Sequence, residues 1–566
     1  MTGRRDPDGE IPDTGIPADA AARMSMAEQH EWHRAYLRRH PVSRRNFLLG
    51  SAALAAVGAA GMSPFGSRAY AQDAPLGVAN RRVGFGADAA SQLRLSAQLS
   101  RNPGTTRVFL DYGPSPALGA TVDAEVRNLI TQIPDSRGGV LAAEQFYVHA
   151  PIDGLPARQP QFYRWRTDDG FTSDVRSAAT AMPSARSALA PFRFTMMGDQ
   201  GTDETPTLPP GLAPGDYDDR YYAPDNDPAV PHTDNVLAQI INARPDFHVL
   251  AGDIAYADPS GLGKAPTFVP FGGQLPSGFD KFNPYVWDVY LGSIEASAST
   301  TPWMFATGNH DMEAAYPVHG YGGHLARMDF PGNGPKACPS VHSFTYGDVA
   351  VLSLDANDVS DEITANTGYS GGTQTTWVEQ TLARYRADPA IDFIVCFFHH
   401  CAYSTVATHA SDGGVRAAWA TLFDRYRVDL VLQAHNHAFE RSDPIRAGLP
   451  TKSAPDRSVI EPDRDGTLYY TVGSAGRPRY SFAPGEVVSY RGHEAADTFV
   501  PNSYVWTPDG EKQPEAVAWS RVRFRDYAFV RIDVRPGVLV SEMDVVGVDE
   551  YGREFDAVTL RRPVRG

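Results

Sequence analysis

The sequence predicts a multidomain chain of mixed α+β and α/β class, with an N-terminal β-sandwich followed by a layered α/β domain. Three observations predict it. The chain has 566 residues, more than a single hydrophobic core usually serves. Short alternating strand-like segments between turn signals fill the stretch from about 74 to 190. From Pro191 onward, apolar runs that end in polar clusters alternate with helical patterns, the grammar of buried strands in an α/β layer fold.

Each element follows in order. Thr106–Tyr112, Gln145–Ala150 and Gln161–Arg166 alternate apolar and polar residues between Gly and Pro punctuation, which reads as sandwich strands. Buried strands are expected at Phe192–Met197, Phe247–Ala251, Trp303–Thr307, Val349–Leu354, Phe393–Phe398, Leu430–Gln433 and Leu468–Val472. Helices are expected at Asp234–Ala243, Thr375–Arg386 and Val415–Tyr426. Thr202–His232 is acidic and Pro-rich and reads as a long surface loop, and Ala528–Leu560 reads as a β extension packed on the preceding domain. The domain boundaries that result are 1–71, 74–190, 191–485 and 486–566.

Composition narrows the class. With 42% hydrophobic and 21% charged residues, the chain is globular rather than largely disordered. A net charge of −16 disfavours a nucleic-acid partner. Cys338, Cys396 and Cys401 are the only cysteines, too few and too odd for a disulfide framework. Cys396 lies in an apolar run and reads as a buried strand residue, and a Cys338–Cys401 pairing is conceivable. Near the N-terminus, Arg44-Arg45 precedes the apolar run Leu49–Met62, and Ala69-Tyr70-Ala71 offers small residues for cleavage after Ala71. This reads as a twin-arginine export signal. The run is short of the ~20 apolar residues of a spanning helix; an uncleaved anchor is the competing reading.

Five strand ends carry the chemistry. They are Gly198-Asp199-Gln200-Gly201, Gly252-Asp253-Ile254-Ala255-Tyr256, Gly308-Asn309-His310-Asp311, His399-His400 and His435-Asn436-His437. Loops at strand ends are firmly seated yet reach the surface, where ligands converge, and a glycine before each of the first three lets the backbone turn sharply. Singly each motif is weak: an aspartate after a strand more often closes a turn or caps a helix. Together, mixed N and O donors suit Fe, Zn or Mn better than Ca or Mg. Two such ions about 3.5–4 Å apart neutralise phosphoryl oxygens and activate water, with Asp253 as the candidate bridge.

This order of motifs resembles the calcineurin-like metallophosphoesterases. The tyrosine of Gly-Asp-x-x-Tyr and the stretch His435-Asn436-His437-Ala438-Phe439-Glu440-Arg441 narrow the resemblance to the purple acid phosphatases, from about Ala74 to the C-terminus. It implies a fibronectin-III-like leader domain and a four-layer α/β/β/α catalytic domain. It also implies a trivalent iron on Asp199, Asp253, Tyr256 and His437, and a divalent Zn, Fe or Mn on Asp253, Asn309, His399 and His435. His310 would contact phosphate or protonate the leaving group, and His409 would be a second substrate-side histidine. The implied activity is metal-dependent hydrolysis of small phosphate monoesters by an exported acid phosphatase, with the twin-arginine translocase as its transport partner and a secreted, periplasmic or cell-surface location. The alternatives are an exported phosphodiesterase, an alkaline phosphatase D type enzyme, or a cell-surface binding protein with an inactive domain. Three residues depart from the family pattern: Ala434 for glycine, Asp311 for glutamate and Cys401 for proline. Of the remaining polar residues, His400 reads as a supporting or satisfied neighbour. His319, His324 and His342 read as surface residues, Glu440-Arg441 as a brace and Tyr403 as packing.

Overall fold

The computed structural model describes Ala20 and residues 75–565, except 135–136, 138–139, 203–231, 259–260, 263–281, 314–315, 317–318, 485–487 and 495–498. The predicted export segment with Arg44 and Arg45, and the interior of the predicted Thr202–His232 loop, lie outside the described residues. Among the described residues no helix is long and apolar enough to cross a membrane.

The N-terminal region is β-rich. One four-stranded sheet runs Val78–Phe85, Leu93–Leu99, Val140–Ile152, Glu125–Pro134. A second runs Ala120–Asp123, Val108–Gly113, Pro160–Thr167, Arg176–Ala179. Every pairing in both is antiparallel. Along Pro160–Thr167 burial alternates residue by residue, the period-2 pattern of a strand with one face inward. Inward residues of both sheets, among them Leu95, Val148 and Trp165, join one core cluster.

The rest of the chain builds two seven-stranded sheets. The first runs Trp303–Ala306, Phe247–Ala251, Phe192–Met197, Ala528–Arg535, Val540–Asp549, Glu554–Pro563, Ser458–Ile460. Its first three strands are parallel. The second runs His342–Tyr346, Val349–Ser353, Phe393–Phe397, Leu430–Gln433, Leu468–Val472, Phe439–Ser442, Ser520–Phe524. Its central four strands are parallel. Alternate residues divide between cores: Val249 and Ala251 of the first sheet share a cluster with Val395 and Phe397 of the second. On the opposite face Leu250 meets the helices Thr233–Ala243 and Val286–Ala298, and Ile394 and Cys396 meet Thr373–Ala387. This double burial explains why the strands read as continuous apolar runs.

The tail joins both seven-stranded sheets. Ala528–Arg535 pairs directly with Phe192–Met197 inside the first sheet, and Ser520–Phe524 closes the second. The helix Val286–Ala298 is not among the expected helices. Its buried positions, Val286, Trp287, Tyr290, Leu291, Ile294 and Ala298, fall on one stripe, but Val289 and Ala296 on the other face blur that stripe in the sequence. Cys338, Cys396 and Cys401 are all free and buried, so the conceivable Cys338–Cys401 bridge is not made.

Candidate metal centre

The centre lies where the C-terminal ends of the parallel strands of both sheets come together. Asp199 follows Phe192–Met197, Asp253 and Tyr256 follow Phe247–Ala251, and Asn309 and His310 follow Trp303–Ala306. From the second sheet, His399 follows Phe393–Phe397, and His435 and His437 follow Leu430–Gln433. Backbone bonds stitch these loops together, from Asp199 N–H to the Gly252 carbonyl and from Ala434 N–H to the His399 carbonyl. Asp199, Asp253, Tyr256 and His435 all adopt positive φ, at 56°, 49°, 59° and 66°. Such conformations cost about 1–3 kcal/mol each and persist where surrounding structure enforces them.

The glycines serve two different ends. Gly252 has φ of 84° and does make the sharp turn. Gly198 and Gly308 are needed for close approach instead. A Cβ at Gly308 would lie 2.1 Å from Asp253 Oδ1, and one at Gly198 would lie 2.4 Å from the Ala434 Cβ. The methyl of Ala434 thus occupies space that Gly198 leaves open. The other departures are also accommodated. Asp311 Oδ1 accepts from Ile254 N–H at 3.0 Å and Oδ2 from Gly308 N–H at 2.8 Å, and the Cys401 thiol donates to the Ala434 carbonyl.

All seven candidate ligands come together. Tyr256 donates its hydroxyl to Asp199 Oδ1 at 2.9 Å and lies 3.1 Å from His437 Nε2, which is itself 3.3 Å from Asp199 Oδ1. Beside this trio, Asp253 Oδ2 is 3.1 Å from His399 Nε2, which is 3.2 Å from His435 Nδ1. His399 Nε2 is also 4.0 Å from Asp199 Oδ1, which joins the two groups. Ligand atoms of Asp253, His399 and His435 lie within 4.8 Å of one another. Asn309 donates its amide to the Gly261 carbonyl, while its buried Oδ1 has no hydrogen-bond partner.

The histidines are oriented from behind. His399, His437 and His310 donate Nδ1–H to the carbonyls of Ala251, Pro478 and Asp258 at 2.8, 2.7 and 2.6 Å. A carbonyl only accepts, so each ring carries a proton on Nδ1 and turns Nε2 toward the centre. Burial opposes charge on His399, but Asp253 and Asp199 push it up to about 9. Burial alone would raise Asp253, but His399 and His310 hold it below the usual carboxylate range. Burial and the nearby Asp199 push the Tyr256 phenol well up. The centre gathers imidazole nitrogens, carboxylates and a phenol oxygen, a mixed N and O donor set that fits transition-metal cations.

His310 sits at the edge, its side chain 14% exposed, with Nε2 3.8 Å from Asp253 Oδ2. The His409 ring centroid is 3.9 Å from that of His435. His400 is buried against His435, and neither of its ring nitrogens has a partner, so it is not a satisfied neighbour. His319 is exposed as expected, whereas His324 and His342 are buried, contrary to the surface reading; they pack against Trp287 and Phe344. Glu440 accepts from Ser404, Thr405 and Ser520, bracing the loop after His399, and Tyr403 packs on Tyr469 and Trp519.

Sequence reasoning missed Glu362. Its carboxylate lies 2.8 Å from His435 Nε2 and 2.8 Å from His409 Nδ1. The available signal was a sixth strand end: the run Val349–Leu354 also closes on a polar cluster, Asp355 to Glu362. It missed the strands Val500–Trp506 and Lys512–Val517 as well. From these, Trp506 Nε1–H donates to the His409 carbonyl and Lys512 Nζ to the Ala407 and Thr408 carbonyls.

Comparisons with known proteins concern the family and the fold. The profile of the calcineurin-like phosphoesterases matches residues 224–439. The Uncharacterized protein Rv2577 of Mycobacterium tuberculosis (strain ATCC 25618 / H37Rv) is 30% identical over 88% of this chain and 90% of its own length. Purple acid phosphatase 21 of Arabidopsis thaliana is 28% identical over 43% of this chain and 47% of its own length. Among solved structures, the purple acid phosphatase PPD1 from yellow lupin (Lupinus luteus) seeds shares the fold, with a TM-score of 0.61 at 18% identity over 86% of this chain and 75% of that one. By its matching domain and by a relative 30% identical over 88% of its length, the chain belongs to the calcineurin-like phosphoesterase family.

Proposed function

We propose that the chain is an exported dinuclear-metal acid phosphatase that hydrolyses small phosphate monoesters. The observation that carries the reading is the convergence of seven buried donors at the strand ends, with the buried Asn309 Oδ1 left without a partner. A trivalent iron would be held by Asp199, Asp253, Tyr256 and His437, and a divalent Zn, Fe or Mn by Asp253, Asn309, His399 and His435. Such a pair supplies charge neutralisation on phosphoryl oxygens and a nucleophile from water at neutral pH.

The chain's own residues do the rest. Asp253 Oδ1 accepts the His310 backbone N–H at 2.9 Å, which fixes the loop carrying that ring. His310 keeps Nδ1–H on the Asp258 carbonyl, so any proton it exchanges moves at Nε2, which lies 3.8 Å from Asp253 Oδ2. That placement suits proton delivery to a leaving-group oxygen.

The test is hydrolysis of a chromogenic phosphate monoester, beside the matching diester, by metal-quantified protein. Monoester turnover that disappears on chelation and returns with iron and zinc is expected; inactivity of the metal-loaded protein contradicts the reading. The N-terminal segment through Ala71 is proposed to direct twin-arginine export, on the motif Arg44-Arg45. Replacing both with Lys should trap precursor in the cytoplasm, and unchanged secretion would refute that route.

A further inference from the structure

We propose that the strand pair Val500–Trp506 and Lys512–Val517 is a clamp on the loop that carries His409, with Trp506 as the positioning residue that sets where that ring stands. The proposal rests on the phosphatase reading and deepens it. The His409 ring lies beside the metal centre, its centroid 3.9 Å from that of His435 and 5.2 Å from that of Tyr480. Its backbone belongs to a single turn, closed by Ala410 N–H on the Val406 carbonyl at 2.9 Å and by a φ of 60° at Ala410. A turn that ends there leaves its following carbonyls without helical N–H partners. The strand pair supplies donors to them. Lys512 Nζ donates to the Ala407 and Thr408 carbonyls at 2.9 and 2.6 Å, and Trp506 Nε1–H donates to the His409 carbonyl at 2.5 Å.

The clamp is seated from several sides. Trp506 and Lys512 are cross-strand partners, so their side chains stand together on one face, with Lys512 Nζ 5.1 Å from the Trp506 ring centroid. Ser411 and Asp412, just past His409, pair in parallel with Val505 and Trp506. Gly413 lies so close that a Cβ there would be 2.2 Å from the Trp506 carbonyl oxygen. Other groups hold the rest of the loop: Ala407 N–H bonds to the Ser481 carbonyl, and Asn436 Nδ2–H to that of Ala410. Glu362 meets the ring at Nδ1, whereas Trp506 fixes the backbone from which the ring projects. Of the strand pair only Val500, Ser503, Trp506 and Val517 are buried. Two strands alone are marginally stable, so holding the loop, rather than filling the core, is what this pair contributes.

A double-mutant cycle decides it. Trp506→Phe keeps an aromatic side chain and removes the indole N–H. In metal-loaded protein its monoester kcat should fall about 10- to 100-fold, the scale of loss when a group at the chemistry is misplaced by about 1 Å, while metal content and the visible band stay as in wild type. On a His409→Ala background the same change should have no further effect, because it acts through that ring. A residue that only stabilises the fold would lower both backgrounds alike, so additive losses, or wild-type kcat in Trp506→Phe, overturn the proposal. The clamp is also read without turnover. In zinc-loaded protein the His409 ring-proton NMR resonances should shift in Trp506→Phe, while those of His149 in the N-terminal sheets stay in place; an unmoved His409 resonance overturns it. If the wild type does not hydrolyse the ester, the phosphatase reading fails and this shift still tests the clamp. Should Trp506→Phe not fold, Lys512→Met releases the Ala407 and Thr408 carbonyls instead and takes its place in both measurements, with the same results for and against.

Discussion

Two buried polar clusters use similar groups and settle them in opposite ways. Where the N-terminal sheets meet the catalytic half, Arg327 pairs with Glu313 at 2.8 Å and lies over the Trp287 ring, and Glu313 also accepts from Trp287 Nε1–H. Nearby, Asp288 Oδ1 accepts from Gln98 and Gln145 at 2.6 Å each. There each carboxylate has protein donors. At the strand ends the balance fails: Asn309 Oδ1 has no partner, His435 Nδ1 faces His399 Nε2, and the Tyr256 hydroxyl is shared between Asp199 and His437. Buried polar groups in folded proteins are nearly all paired. The first cluster also leaves Arg327 Nε and Gln145 Oε1 buried without partners, but its carboxylates are all paired, which marks structure, whereas a surplus of converging acceptors marks a place where a cation belongs.

The comparison can be broken from either end. Asp253→Ala removes the carboxylate between the two donor groups and should abolish binding of both ions. Phosphatase activity should fall by about 10³-fold or more, since that activity depends on the ion pair, while the fold persists. Activity within tenfold of wild type would break the account. Arg327→Met acts on the other cluster and strands Glu313 as a buried charge. It should cost about 3–5 kcal/mol of stability, read by denaturant unfolding, with metal content unchanged; loss of metal at full stability would show the clusters are not distinct.

The pH dependence of Asp288 gives a smaller, signed effect. Burial, against the two glutamine amides, raises it from 3.8 to about 6. The folded protein therefore holds this proton more tightly than the unfolded chain. Its stabilising contribution is full below about pH 4 and is lost as pH rises through about 6, a change of about 2–3 kcal/mol. Asp288→Asn keeps an acceptor oxygen without the charge. It should raise the melting temperature relative to wild type at pH 7 and leave it unchanged at pH 4; equal melting temperatures at both pH values would contradict this.

The same contrast explains what was legible in the sequence. The five strand ends stood out because a doubly buried strand is a continuous apolar run, and a ligand such as Asp199 or His435 interrupts it abruptly. Glu362 carried only a diluted form of that signal. It lies nine residues beyond the strand Val349–Ser353, among serines and aspartates that resemble any solvated loop, and only the tertiary fold turns it toward His409. The helix Val286–Ala298 was hidden because Val289 and Ala296 put apolar residues on its outer face as well. The strands from Ala528 onward were legible as strands, but antiparallel pairing with Phe192–Met197 is a contact across more than three hundred residues, which local pattern does not encode. His324 and His342 were misplaced at the surface because a lone histidine carries no burial signal; aromatic neighbours make room for them in the core.

The most direct test is the metal count and visible spectrum of wild-type protein beside Tyr256→Phe, matched for iron. The account predicts two transition-metal ions per chain, at least one of them iron, and a broad visible band from the ionised Tyr256 phenolate. Such ionisation is what a bound cation imposes on its ligand. The band should vanish in the Phe variant, with the fold and much of the activity retained. A single ion or none in active wild-type protein would contradict the dinuclear centre, and a band that survives in Tyr256→Phe would contradict the role assigned to that phenolate.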